Sequence, residues 1–234
     1  MEKNSLIKRE TITPRDLSNC EDWASLLNQV PDYDPIATAG DCVFCPELAI
    51  NAIQFFPEKL SFSQGSKARQ PFYLEPWQAS IVANLMGWLR PDGFRRYREC
   101  FVLIPRKNGK TELVAGLGVM MTFNDGEDGA QNYCAASEKA QATLLWDVAR
   151  VMVERNPELA AQSKVYTALK SIVYQDMESF LKPISSEVAS KHGYNTHFAA
   201  LDELHVQDSP DLLEVLETSM GSRTQPLLIN LTRS

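Results

Sequence analysis

Long hydrophobic runs are missing from this chain. No stretch of about 18 consecutive apolar residues occurs, so no membrane-spanning helix is expected. The opening Met1-Glu2-Lys3-Asn4-Ser5 lacks the apolar core of a secretory leader. A cytoplasmic protein with no membrane attachment is the expectation. Positive charge is short as well. Lys and Arg number 23 against 30 Asp and Glu, giving a formal net charge of −7 and a pI near 5.1. That excludes a protein that coats nucleic acid by bulk charge, and leaves room for a local basic patch. The five cysteines are an odd count, which reads as reduced thiols rather than a disulfide framework. Cys42 and Cys45 have metal-ligand spacing, but no second pair follows and the histidines stand far off at 192, 197 and 205. A zinc centre needs three or four protein ligands, so ordinary half-buried thiols are expected there.

What the chain does contain is a β-prone run followed by a polar turn and a helix-type pattern. Cys100-Phe101-Val102-Leu103-Ile104 leads into Pro105-Arg106-Lys107-Asn108-Gly109-Lys110-Thr111, and apolar residues follow at Leu113, Val114, Leu117, Val119 and Met120. Strand, loop and helix in that order form the context of a phosphate-binding P-loop. Unpaired N–H groups at a helix start carry partial positive charge, so phosphate oxygens settle there. Lys110 would reach the β- and γ-phosphates and the Thr111 hydroxyl would hold Mg²⁺. One residue departs from the usual pattern: Ile104 stands where its first glycine belongs.

A second signal lies far downstream. His197-Phe198-Ala199-Ala200-Leu201 is an apolar run that ends in two acids, Asp202 and Glu203, ahead of Leu204 and His205. This is the Walker B pattern. Asp202 would hold Mg²⁺ and Glu203 would act as general base on the attacking water. Taken with the Gly-Lys-Thr turn, it predicts an α/β fold of the P-loop NTPase type (RecA-like, with a catalytic glutamate). The sheet is expected to be mostly parallel, with helices on both faces and a helical N-terminal extension.

These residues resemble the ATPase domain of the large terminase subunit of tailed bacteriophages. The similarity runs over roughly residues 40–234. It rests on Pro76-Trp77-Gln78, on the variant P-loop from Arg106 to Thr111, on Asp202-Glu203-Leu204-His205, and on the strand Leu228-Ile229-Asn230-Leu231-Thr232. The resemblance implies ATP with Mg²⁺ as cofactors, and a motor that drives double-stranded DNA into a procapsid. The partners it implies are a portal protein, a small terminase subunit and a homo-oligomeric ring, in the host cytoplasm at the procapsid portal. It implies that Gln78 reads the adenine edge, which suits an amide with both a donor and an acceptor. It implies nucleotide contacts from Arg106, Lys107, Asn108, Gly109, Lys110 and Thr111. Arg106 would sense the γ-phosphate and offset transition-state charge. A ring motor also implies an arginine from a neighbouring subunit, with Arg150, Arg155 and Arg223 left open as candidates. The family's coupling motif reads Thr-Thr-Ala or similar, whereas Thr232-Arg233-Ser234 stands here. The family also carries a C-terminal nuclease domain, and no nuclease activity is expected from these 234 residues.

The remaining punctuation is local. Thr13-Pro14 should cap a first helix, and a second should run from Pro46 through Phe56. Residues 1–70 are expected to form the N-terminal helical extension and 71–234 the ATPase domain. Arg95, Arg96 and Arg98 read as a solvated strand edge, with a DNA or subunit contact as the sharper option. Gln131–Ala136 reads as a core strand, with Ser137 capping the helix that follows. Residues 163–184 show closely spaced strands suited to antiparallel pairing. Ser209 and Pro210 should start a further helix. Two other readings are a helicase-like DNA translocase and a nucleotide-dependent docking module without turnover.

Overall fold

The computed structural model describes residues 10–105, 108–186, 193–202 and 211–232. The chain divides into two compact units. One holds the residues up to Pro57 together with Tyr73–Tyr97, and the other holds Glu58–Phe72 together with the residues from Arg98 onward.

The first unit is mainly helical. Helix α1 (Pro14–Leu17) begins as Thr13 and Pro14 suggest, with the Thr13 hydroxyl accepting from the Asp16 N–H. Helices α2 (Glu21–Leu27), α3 (Pro46–Lys59) and α4 (Pro76–Gly87) follow, α3 crossing into the second unit at its end. A short ribbon pairs β1 (Val43–Phe44) with β2 (Trp88–Leu89) antiparallel. Leu17, Leu27, Phe44, Ala49, Ala83 and Trp88 form the core of this unit. The expectation of a solvated arginine edge holds for Arg98, which is exposed, and is corrected for Arg95 and Arg96. Arg95 is buried. Arg96 donates to the carbonyl oxygens of Pro35, at 2.8 Å, and Thr38, and its guanidinium lies over the Trp88 and Tyr97 rings. Arg96 ties loop carbonyls to an aromatic core, because a planar fork with five donors can both stack and bond.

The second unit is built on a seven-stranded sheet in the order β3-β9-β8-β4-β7-β6-β5. Its strands are β3 (Glu99–Leu103), β4 (Gln131–Ala136), β5 (Ser163–Tyr166), β6 (Ser171–Tyr174), β7 (Ser179–Ser185), β8 (Thr196–Asp202) and β9 (Leu227–Thr232). The five from β3 to β7 in that order run parallel, and β6 and β5 add antiparallel at one edge. The expected antiparallel group at 163–184 is therefore half of the story, since β7 also joins the parallel core.

Helices cover both faces of the sheet. Odd-numbered residues of β4 and β8 (Tyr133, Ala135, Ala199, Leu201) pack against Leu212, Leu216 and Met220 in and just after the last helix, Asp211–Ser219. On the opposite face lie α5 (Lys110–Phe123) and α6 (Lys139–Arg155). A Cβ built on Gly118 of α5 would meet the Phe198 ring at 3.4 Å, and the Trp146 indole N–H of α6 bonds the Leu181 carbonyl at 3.1 Å. A strand alternates its side chains, so Phe198, Ala200 and Asp202 share the α5 face. Helix α7 (Pro157–Gln162), capped by Asn156, follows α6 where only a helix stop was expected. The Asp211–Ser219 helix is α8; its expected start at Ser209 and Pro210 lies outside the described residues. Among the described residues no helix is long and apolar enough to cross a membrane.

Candidate nucleotide site

The turn between β3 and α5 depends on one glycine. Gly109 takes φ 73° and ψ 15°, a left-handed conformation that costs a side-chain-bearing residue far more. It stands at the N-cap of α5 and offers no side chain to the first-turn N–H groups. Lys110 is the first residue of the helix. Its Nζ lies 2.7 Å from Oδ1 of Asp202, the last residue of β8. The two side chains are only 12% and 16% exposed. Two loops that are 92 residues apart in sequence thus meet at the carboxyl edge of one sheet. Face parity explains the meeting: Asp202 lies on the side of β8 that α5 covers, and Lys110 starts α5.

Strand β9 lies between the strand that carries the turn and the strand that carries the acid. Leu103 registers with Thr232, and Leu201 with Asn230. The last described strand therefore ends between the two halves of the site.

The other expected residues divide into three groups. Asn108 and Gly109 are exposed on the turn, and Thr111 is half-buried in the first turn of α5. Arg106, Lys107 and Glu203 lie outside the described residues. Gln78 belongs to the first unit and is 4% exposed. Its Oε1 accepts from the Glu75 N–H at 2.9 Å, while the Glu75 carboxylate accepts from the Gln78 N–H. This reciprocal cap of α4 is a structural use for the amide. All three candidate trans arginines are engaged within their own chain. Arg150 pairs with Asp147 and Glu154, Arg155 donates to the Phe62 carbonyl at 2.7 Å, and Arg223 pairs with Glu127.

One residue of this region had escaped sequence reasoning, and a second had been given another task. Glu112, next to Thr111, is 8% exposed and accepts from both the N–H (3.1 Å) and the hydroxyl of Ser63. It braces the first turn of α5 against the segment 58–72, which closes on itself through the Ser61–Pro71 bridge. A glutamate two residues past the lysine could have prompted the question, but its partner is 49 residues away. The second is Ser137. It was expected to cap α6, and that expectation is corrected. The N-cap is Glu138, without a side-chain bond, and the Ser137 hydroxyl oxygen is buried with no hydrogen-bond partner. Burial disfavours the thiolate form of both thiols of the sheet. Burial pushes Cys100 up to about 11, with the Glu99 charge adding to it, and burial raises Cys134 still further.

The donor set fits a Mg-bound triphosphate. Among the described residues no three His, Cys, Asp or Glu side chains converge to make a closed cage. Magnesium is usually held instead by one or two protein oxygens plus phosphate and water. The Asp202 carboxylate and the Thr111 hydroxyl at a helix start match that demand, and Lys110 beside them adds positive charge for the phosphates.

Three comparisons agree with this geometry. Residues 76–233 match the family described as the terminase large subunit, ATPase domain. The large terminase subunit of Enterobacteria phage HK97 is 29% identical over 171 residues, covering 71% of this chain and 32% of that protein. The crystal structure of the HK97 large terminase superposes with a TM-score of 0.68 at 26% identity, covering 79% of this chain and 37% of the other. The UvsW helicase of bacteriophage T4 superposes with a TM-score of 0.50 at 14% identity, over 80% of this chain and 60% of that one, a likeness of fold alone. The chain spans about a third of the HK97 relative's length. With the P-loop turn, the acidic strand end and the strand between them in place, this chain belongs to the family of terminase large-subunit ATPase domains.

Proposed function

We propose that this chain hydrolyses ATP with Mg²⁺ and that the hydrolysis powers movement of double-stranded viral DNA into a procapsid. The observation that carries the reading is the 2.7 Å contact between Lys110 and Asp202 beside an uncapped helix start. In this reading Lys110 neutralises charge on the β- and γ-phosphates, and the turn 105–111 offers backbone N–H groups to them. Thr111 and Asp202 hold the metal, which supplies charge neutralisation when bound. Glu203 takes the proton of the attacking water, and Arg106 offsets charge at the terminal phosphate. Gln78 reads adenine with whatever amide capacity its cap leaves. Residues 71–234 act as the ATPase domain, with 1–70 as its helical extension. The partners are double-stranded DNA, a portal protein, a small terminase subunit and further copies of the chain in a ring, assembled in the host cytoplasm at the portal.

The test is ATP turnover of the purified chain beside its Lys110→Ala and Glu203→Gln variants. Both variants should lose at least about 100-fold in rate while keeping the far-UV circular dichroism of the parent. Parental turnover in either one refutes the assignment. Tight ATP binding with no turnover under any condition, DNA included, would favour a docking module instead.

A further inference from the structure

The outer strands of the sheet carry positive charge that the nucleotide site does not use. Phe180 and Ile184 of β7 pack with the residues around α8, so alternation puts Phe180, Lys182 and Ile184 on the α8 face of the sheet. Opposed residues of antiparallel strands share a face. Phe180 registers with Val173, and Val173 with Lys164. Tyr166, two residues after Lys164, registers with Ser171, two residues before Val173. Lys182, Lys164 and Tyr166 therefore stand on one face of three neighbouring strands. Lys164 is exposed, Tyr166 is 45% exposed, and the Lys182 ammonium lies 4.2 Å from the centre of the Phe180 ring. Among the described residues neither lysine has a carboxylate partner. The nearest acids in sequence, Asp176 and Glu178, stand in the turn before β7, at the amino end of that strand. In a chain of net charge −7 this face is a local exception.

We propose that this face holds the phosphate backbone of double-stranded DNA, through Lys164, Lys182 and Tyr166 and without regard to base sequence. The inference rests on the DNA-moving reading above and gives that reading a surface. Two ammonium groups and a phenol hydroxyl supply donors for phosphate oxygens, and such contacts position a duplex without reading it. The spacing suits the ligand. Strands β5 and β7 lie about 10 Å apart across β6. One strand of a duplex presents a phosphate about every 3.4 Å along its axis, roughly three over that span. An acidic protein segment fits less well, because protein interfaces rely on buried apolar anchors and the Phe180 ring is already covered by Lys182.

The test is fluorescence anisotropy of the full chain with a labelled duplex of about 30 base pairs and mixed sequence, over a range of salt. Lys164→Ala and Lys182→Ala should each weaken binding about fivefold or more at 0.1 M salt. Each should also reduce the slope of log affinity against log salt by about 0.9. Tyr166→Phe should weaken binding about twofold and leave the slope as it was. Lys182 also covers Phe180, so Lys182→Arg is the second variant; it keeps the charge and the stacking and should bind like the parent. Lys139→Ala removes the same charge from α6, on the opposite face, and should change neither affinity nor slope. ATP turnover without DNA should be parental throughout. Parental affinity and slope in both alanine variants overturn the proposal, as does an equal loss in Lys139→Ala or in Lys182→Arg. Retention of polyglutamate in place of the duplex, lost in the same two alanine variants, would make the face a protein dock and overturn it as well. If the parent binds the duplex and the alanine variants bind it equally, only this surface falls. If the parent binds no duplex even at low salt, the surface and the DNA-moving reading fall together.

Discussion

The two ends of the central sheet are both rich in charge, yet they are built differently. At the amino ends of the strands, Arg223 donates to the Glu127 carboxylate at 2.8 Å and to the carbonyls of Asp128, Gly129 and Asn195. Nearby, the buried His197 ring meets Asp125 at 2.6 Å, and Ser219 bonds the Thr196 hydroxyl at 2.7 Å. The guanidinium there is close to saturated. At the carboxyl ends, Lys110 and Asp202 share one short contact, the helix start above them has no side-chain cap, and the Ser137 hydroxyl is unpaired. With four acceptors the Arg223 guanidinium has little capacity left for a ligand and holds the loops around it, whereas the helix start at Gly109 meets no side-chain cap. The amino end keeps one buried nitrogen without a partner too, Nδ1 of His197. Arg223 was one of the candidates for a trans arginine, and its engagement argues for a structural task instead.

This contrast can be broken by mutation. The largest effect should be on chemistry at the carboxyl end. Asp202→Asn should lower ATP turnover about 100-fold or more, since both the metal and Lys110 lose their anionic partner. Steady-state phosphate release measures it, and a loss under threefold would mean that this end is no more functional than the other. The next effect should be on stability at the amino end. Arg223→Ala strands a mostly buried Glu127 and three carbonyls, and should cost about 3 kcal/mol in urea unfolding while nucleotide affinity stays at the parental value. If Arg223→Ala instead unfolds like the parent and loses turnover, the assignment of the two ends is reversed. Replacing both members of the Lys110–Asp202 pair, by Lys110→Met with Asp202→Asn, should change stability by less than about 1.5 kcal/mol. Removing a partly buried ion pair together relieves two desolvation costs at once. A loss as large as that of Arg223→Ala would show that the pair is needed for folding.

The smallest effect concerns the sheet between the two ends. Cys100 has a folded value near 11 against an ordinary thiol value of 9.0. Its folded form resists ionisation, so its contribution to stability is complete below pH 9 and declines as the pH rises from 9 to 11. The loss at pH 10.5 should be about 2 kcal/mol relative to pH 8. Comparing the parent with Cys100→Ser isolates it from other alkaline titrations. Identical pH profiles would show that the thiol is not held in an apolar site.

Part of the candidate site was legible as letters. Gly109, Lys110 and Thr111 follow a β-prone run and Asp202 ends another, and the structure brings Lys110 and Asp202 to 2.7 Å. The helix start at Thr13-Pro14 was legible too, since a cap is a contact within four residues. Other assignments failed where the deciding partner was distant in sequence. Arg96 read as solvated because Pro35 and Thr38 cannot be seen from its neighbours. Ser137 read as a cap because the local pattern permits one, while the helix starts one residue later, with Glu138 as its N-cap. Glu112 looked like any first-turn acid until the segment carrying Ser63 folded over it.

By itself, then, the sequence determined the alternation of strand and helix, the left-handed glycine turn and the chemical inventory of the site. All of these are set by interactions within a few residues. Tertiary structure alone decided that β9 separates the P-loop strand from the acidic strand, and that Lys110 meets Asp202. It also decided which arginines are occupied and which hydroxyl is left unpaired. These depend on which strand pairs with which and on which face a helix covers. Such choices are made by burial of the whole apolar surface at once, and no short window of sequence contains them.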